Sequence, residues 1–294
     1  MSLIDQIVEP PNIFKRYETE ETALAIGSAG KQAIAFLTFD RFGEKTYLTD
    51  VYNELPAKVL RALYYDQDNP GIPYIMFSNP TGGIVQGDRY IYRFTLNEGS
   101  EAFITDTTAT KVYRMDLNYA SRNTDIYLYE GSRLEYLPKE TIVFKDSRWF
   151  QRTTIHLKGA ASFLYSEIFM PGRVAMGEFW NFDVFSSRFI VERDGKILLF
   201  DSSDYYGRDK ELSNILFAGN KYLLTAYWFS KRASKDELRF DGVTGGASSM
   251  PYGDGLVIRA LSDDLDKLKD VQLDIWKNFR LKEINRGVPF LRMY

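Results

Sequence analysis

The stretch NPTGGIVQGDR, residues 79–89, carries a spacing that could do chemistry: Gly82, four residues, then Gly87. That is the skeleton of a phosphate-binding loop, which continues with Lys and then Ser or Thr at the start of a helix. Such a loop works because backbone N–H groups, a helix N-terminus and a Lys all face one anion. Here Asp88 stands where the Lys belongs and Arg89 where the magnesium-holding hydroxyl belongs. The residues that follow, YIYRFTL, alternate like a strand. The spacing therefore predicts a turn, in which Gly82, Gly83 and Gly87 supply positive φ or close backbone approach, and no nucleotide.

Other reactive chemistry is excluded by count. The chain has no cysteine and one histidine, so disulfides, thiolate zinc sites and multi-histidine metal sites cannot form within it. A Ser-His-Asp triad would need His156. In TTIHLKG that residue alternates with Ile155 and Leu157, which puts it on the polar face of a strand. There is also no G-x-S-x-G elbow to supply a nucleophile.

The elements that must hold these residues are short and numerous. The 294 residues are 15% aromatic, with 20 Tyr and 21 Phe, a composition that favours half-buried strands. Alternating runs are punctuated at Gly43-Glu44, Asn97-Glu98-Gly99, Glu130-Gly131, Lys158-Gly159 and Asp194-Gly195. Turns at intervals of roughly ten residues predict a mostly β, layered or coiled architecture in one domain spanning 1–294. No fixed-period repeat is visible. Three helices are expected: one near the C-terminus, with Leu261, Leu265, Leu268, Ile275 and Phe279 at helical spacing and Ser262 as cap, and weaker ones in ELPAKVLRALYYD and ASKDELRF. Residues 1–25 read as a loosely packed arm. The net charge of −3 argues against nucleic acid and membrane surfaces. The N-terminus lacks a basic start and apolar core, so a cytoplasmic location is expected.

NPTGGIVQGDR followed by TDTTATKVYR, GSRLEYLPKETIVFKDS, SFLYSEIFMPGRVAMGEFWNFDVFSSRFIVERDGKILLFD and, more loosely, GGASSMPYGDGLVIRAL resembles the urease accessory protein UreD (UreH) family. The resemblance runs from about Gly71 to about Arg280. It implies a β-rich, helicoidal, non-enzymatic scaffold for nickel insertion. Its partners would be apo-urease and a UreF-like protein, with a UreG-like GTPase recruited through the complex. It also implies an internal route for nickel.

Under that resemblance the transient nickel-path candidates are the carboxylates of the matching runs: Asp88, Glu135, Glu140, Glu167 and Glu178. Lys111, Arg114 and Arg173, with Gly82, Gly83 and Gly87, are candidates for organising loops or meeting a partner. Nickel prefers nitrogen and sulfur ligands, whereas oxygen ligands hold it weakly. No tightly bound cofactor is expected, only nickel in transit. Each carboxylate has an alternative reading as an ion pair with Lys111, Arg114, Arg133 or Arg173. Tyr113, Tyr119, Trp149, Phe179 and Trp180 read either as core or as exposed anchors. A rival function is a carbohydrate-active β-coil using two of Glu135, Glu140, Glu167 and Glu178 as paired acids.

Overall fold

The computed structural model describes residues 10–18, 30–251 and 254–289. Its strands are β1 Gln32–Phe42, β2 Lys45–Glu54, β3 Lys58–Val59, β4 Tyr74–Ser78, β5 Arg89–Leu96, β6 Glu101–Asp106, β7 Thr110–Val112, β8 Ala120–Leu128, β9 Arg133–Leu137, β10 Thr141–Val143, β11 Arg148–Leu157, β12 Ser162–Met170, β13 Val184–Arg193, β14 Lys196–Tyr206, β15 Tyr222–Phe229, β16 Thr244–Ser249 and β17 Gly255–Ser262. The α-helices are α1 Asn12–Lys15, α2 Lys210–Phe217 and α3 Leu265–Ile284.

Two sheets result. The first has the order β14-β13-β11-β8-β5-β1-β2 and the second is built on β16-β17-β15-β12-β9-β6-β4-β3, with β10 and β7 beside it. Neighbours β1, β5, β8, β11 and β13 are parallel, as are β4, β6, β9 and β12. The turns at Asn97-Glu98-Gly99 and Glu130-Gly131 are thus corners at which the chain leaves one sheet for the other. They are not hairpins. The chain coils, and each coil lays one strand on each sheet. Antiparallel pairs close both ends: β1 with β2 and β13 with β14, the latter through the expected Asp194-Gly195 turn. The coil is a repeat of geometry only. What recurs is a strand with an apolar inner face, which many sequences satisfy, so no residue period shows.

Period-2 alternation divides each strand between two environments. Inward residues such as Leu37, Phe94, Ile126, Ile155, Phe163 and Phe229 form the core between the sheets. Outward residues of the second sheet, among them Leu164, Leu224, Trp228 and Ile258, meet α3 through Leu268, Val271, Ile275, Trp276 and Phe279. Asp264 caps α3, its side chain accepting the Asp266 N–H at 3.0 Å. Three helix expectations need correction. Leu261 and Ser262 end β17, and Ser262 only accepts the Asp264 N–H at 3.0 Å. The stretch 53–66 holds the end of β2, β3 and irregular chain, because β3 pairs with β4 at the edge of the second sheet. The stretch 233–240 is turns. Of the expected loose arm, residues 10–18 are described, and there Phe14 on α1 is 0% exposed against Tyr119, Phe150 and Val184. The rest of 1–25 lies outside the described residues. No helix among the described residues is long and apolar enough to cross a membrane.

Candidate functional site

The glycine turn packs against the coil and holds no open cradle. Gly82 and Gly87 sit at φ +78° and +76°, as glycine permits. A Cβ on Gly83 would stand 2.2 Å from the Tyr113 ring, so the turn lies flat on that side chain. Asp88 is fully buried, and its carboxylate accepts the N–H groups of Lys31 and Val85, both at 3.1 Å. Burial pushes its pKa up, against those two bonds. Arg89 donates to the Asp88 carbonyl and to Asn118 Oδ1, both at 3.1 Å, and lies over Tyr119. An acid here satisfies backbone donors that a phosphate would otherwise take.

The remaining candidates fall in separate places. Glu135 points outward from β9 into a buried cluster under α3. There it accepts from Arg280 Nη1 at 3.2 and 3.4 Å and from the Trp276 indole. Burial raises its pKa against the pull of Arg280. Arg280 is 0% exposed and also pairs with Asp66. Glu140 pairs with Lys269 of α3 at 3.0 Å, beside a cavity of about 220 Å³ walled by Phe103, Leu137, Ile168 and Trp276. Glu178 bonds Arg173 Nε at 2.9 Å in the loop before β13, which lowers the Glu178 pKa. Of the ion-pair partners expected, only Arg173 is used in this way. Lys111 is exposed on β7, and Arg114, also exposed, pairs with Asp116 at 2.7 Å. Trp149, Trp180 and Tyr119 are core residues, and Tyr113 and Phe179 are half-buried.

Glu167 alone of the five acids points between the sheets with other functional groups around it. Its two oxygens accept from Gln151 Nε2 at 3.0 and 2.9 Å, and one also accepts from Tyr165 Oη at 2.8 Å. Gln151 donates as well to Ser187 Oγ at 3.1 Å and accepts from Arg122 Nη2 at 3.2 Å. Register explains the grouping. Tyr90, Arg122, Gln151, Ser187 and Ser203 stand in one row across β5, β8, β11, β13 and β14, all facing inward. On the other sheet, Glu167, Thr225 and Arg259 form a second row across β12, β15 and β17. Asp106 ends β6 toward the first of these rows, next to Arg122. Asp201 on β14 accepts from Tyr227 Oη at 2.7 Å and pairs with Arg259. A polar line thus crosses an otherwise aromatic core.

Small voids flank the line. One of about 40 Å³ lies between Tyr90, Tyr92, Asp106, Arg122 and the glycine turn. Another of about 30 Å³ lies between Glu167, Ser187, Asp201, Ser203 and Tyr227. Beyond it a wider groove of about 490 Å³ opens at the β14 and β16 edges. Burial pushes the Asp106 carboxyl up to about 6, despite the opposing charge of Arg122. Burial also raises the pKa of Glu167, against Arg122 and the bonds from Tyr165 and Gln151. The donors are carboxylate, hydroxyl and amide oxygens, which suit weak, brief coordination of nickel. Among the described residues no three His, Cys, Asp or Glu side chains gather as a metal cluster.

Sequence reading reached Glu167 but missed Arg122, Gln151, Asp106 and Asp201. A signal existed for Arg122, since Ala120, Ile126 and Leu128 set the inward phase of β8 and Arg122 shares it. For the paired-acid reading, none of the five cavities found among the described residues is lined by two of Glu135, Glu140, Glu167 and Glu178. Each is engaged by a cation or a hydrogen-bond donor, so nothing favours glycoside hydrolysis.

The family model described as UreD urease accessory protein matches residues 31–293. The chain is similar to a urease accessory protein UreD of Cenarchaeum symbiosum, 32% identical over 83% of this chain and 90% of the relative. It is similar to UreD 2 of Brucella canis, 32% identical over 93% of this chain and 95% of the relative. A UreD of Natronomonas pharaonis is 30% identical over 97% and 99%.

Proposed function

The chain belongs to the UreD urease accessory protein family, which places it in urease maturation, and from that premise we propose that it is a non-catalytic scaffold for nickel delivery. It binds apo-urease and a UreF-like protein, and a UreG-like GTPase joins through the complex. Nickel is its cargo, passed along the polar line between the sheets. The observation that supports this reading is the inward row of Tyr90, Arg122, Gln151, Ser187 and Ser203, which faces Asp106 and Glu167 of the other sheet and has Asp201 beside it on β14. A core with no need of polar groups would fill that row with aliphatic side chains, because buried polar atoms cost stability unless paired. Oxygen donors release nickel readily, as a conduit requires. A cytoplasmic location fits a chain without cysteine, in keeping with a reducing compartment.

The test is co-expression of the full chain with the urease subunits and the UreF-like protein. Co-elution on gel filtration is expected, and Glu167→Gln should keep the complex while lowering the nickel content of urease severalfold. A folded chain that co-elutes with neither partner overturns the scaffold. Unchanged nickel content with Glu167→Gln overturns the route.

A further inference from the structure

The polar line contains a group that a cation conduit should avoid. Arg122 is 5% exposed, deep between the sheets, and it stands between the void at Asp106 and the void at Glu167. Its Nη2 donates to Gln151 Oε1 at 3.2 Å, and the Trp149 indole donates to the same oxygen at 3.2 Å. Gln151 in turn gives its Nε2 hydrogens to Glu167 and Ser187. The guanidinium therefore occupies, by one hydrogen-bonded link, the coordination space that Glu167 and Gln151 would offer a metal. An arginine keeps its charge at every physiological pH, and like charges in a low-dielectric interior repel strongly.

We propose that Arg122 is the gate of the metal route, an internal cation that closes the line to divalent metal until it swings aside. This rests on the conduit reading above. The void of about 40 Å³ beside Arg122, next to Asp106, gives the guanidinium a place to go. Moving toward that carboxylate frees Gln151 and Glu167 for a metal ion. Gly82, Gly83 and Lys111 line the same void, so a protein seated on the glycine turn adjoins the gate. In the free chain the internal cation also holds nickel affinity low, because its charge offsets part of the negative charge that Asp106 and Glu167 would present to a metal.

Equilibrium dialysis of the purified full chain against nickel tests this. Arg122→Gln, which keeps a hydrogen-bond donor and removes the charge, should bind nickel at least tenfold more tightly than the unmodified chain. Arg122→Lys should not differ from the unmodified chain. A merely structural arginine would give lost stability without gained affinity. If Arg122→Gln fails to fold, Arg122→Gln with Asp106→Asn keeps the net charge of the unmodified site and should still exceed Asp106→Asn alone at least threefold, through Glu167. A folded, charge-free variant with no gain overturns the gate. That result leaves the conduit standing if Glu167→Gln still lowers the nickel content of urease. If Glu167→Gln has no effect there, the conduit itself has failed.

Discussion

Removing Arg280 should show how the C-terminal helix is held. Its guanidinium is fully buried and reaches Glu135 at 3.2 Å, the Tyr74 hydroxyl at 3.0 Å and the Asp66 carboxylate. It ties α3 to β9, to β4 and to the chain before β4. Arg280→Met keeps most of the volume and leaves Asp66 and Glu135 as uncompensated buried carboxylates. Breaking a buried pair from one side costs about 3–5 kcal/mol. At roughly 2–4 °C per kcal/mol for a large domain, thermal unfolding should begin ~10 °C lower. The loss should depend on pH. A carboxyl whose folded pKa lies above its unfolded value favours the fold while protonated and loses that contribution as pH rises through the folded pKa. Glu135 is already raised by burial, with Arg280 the main opposing influence. Without Arg280 its pKa rises further, so the variant should be penalised most at pH 8 and much less near pH 5. Thermal denaturation followed by circular dichroism at both pH values is the assay. Adding Glu135→Gln and Asp66→Asn should recover much of the loss. A cost below about 1 kcal/mol at pH 8 would contradict the range given for buried pairs. An equal cost at both pH values would show that the cluster does not hold α3 by charge.

Gly83→Ala should destabilise the chain by about 1–3 kcal/mol, as overpacking does, because its Cβ would meet the Tyr113 ring at 2.2 Å and the Lys111 carbonyl at 2.9 Å. Urea denaturation reads the change, and Tyr113→Ala in the same chain should relieve only part of it, since the carbonyl stays. His156 lies half-buried on the outer face of β11, stacked on Tyr127, with Nδ1 2.6 Å from Glu192 and Asp125 beside it held by Arg152. Burial works against its charged form, but the bond to Glu192 and the negative charges of Asp125 and Glu192 outweigh it and raise the pKa. Stability from this group is complete below the ordinary histidine value of about 6.5 and should fall as pH rises through the higher folded value. His156→Gln should remove that part of the stability-pH slope.

Sequence by itself determined the strand content, the C-terminal helix and the rejection of a phosphate site. Those depend on local alternation, on a 3.6-residue stripe and on the side chain that follows a turn. Asp88 could be called unfit for phosphate without coordinates, because its charge is wrong wherever it lies. Alternation in SFLYSEIFM also puts Glu167 in phase with the inward Phe163, Tyr165 and Phe169. Local pattern misjudged 53–66 and 233–240 as helical, where the apolar residues are buried instead by an edge strand, β3, and by irregular chain packed beside α3. It also left Phe14 in a loose arm, because its partners Tyr119, Phe150 and Val184 lie more than a hundred residues away.

Only the tertiary structure decided which polar residues meet. Arg122, Gln151 and Ser187 are about thirty residues apart in sequence and adjacent in space because parallel strands of successive coils align them. That alignment is set by corner geometry and inter-strand hydrogen bonds, which leave no period in residue type. The same holds for Glu135, whose partner Arg280 lies 145 residues on. Its run suggested arginines nearer by, and α3 brought another.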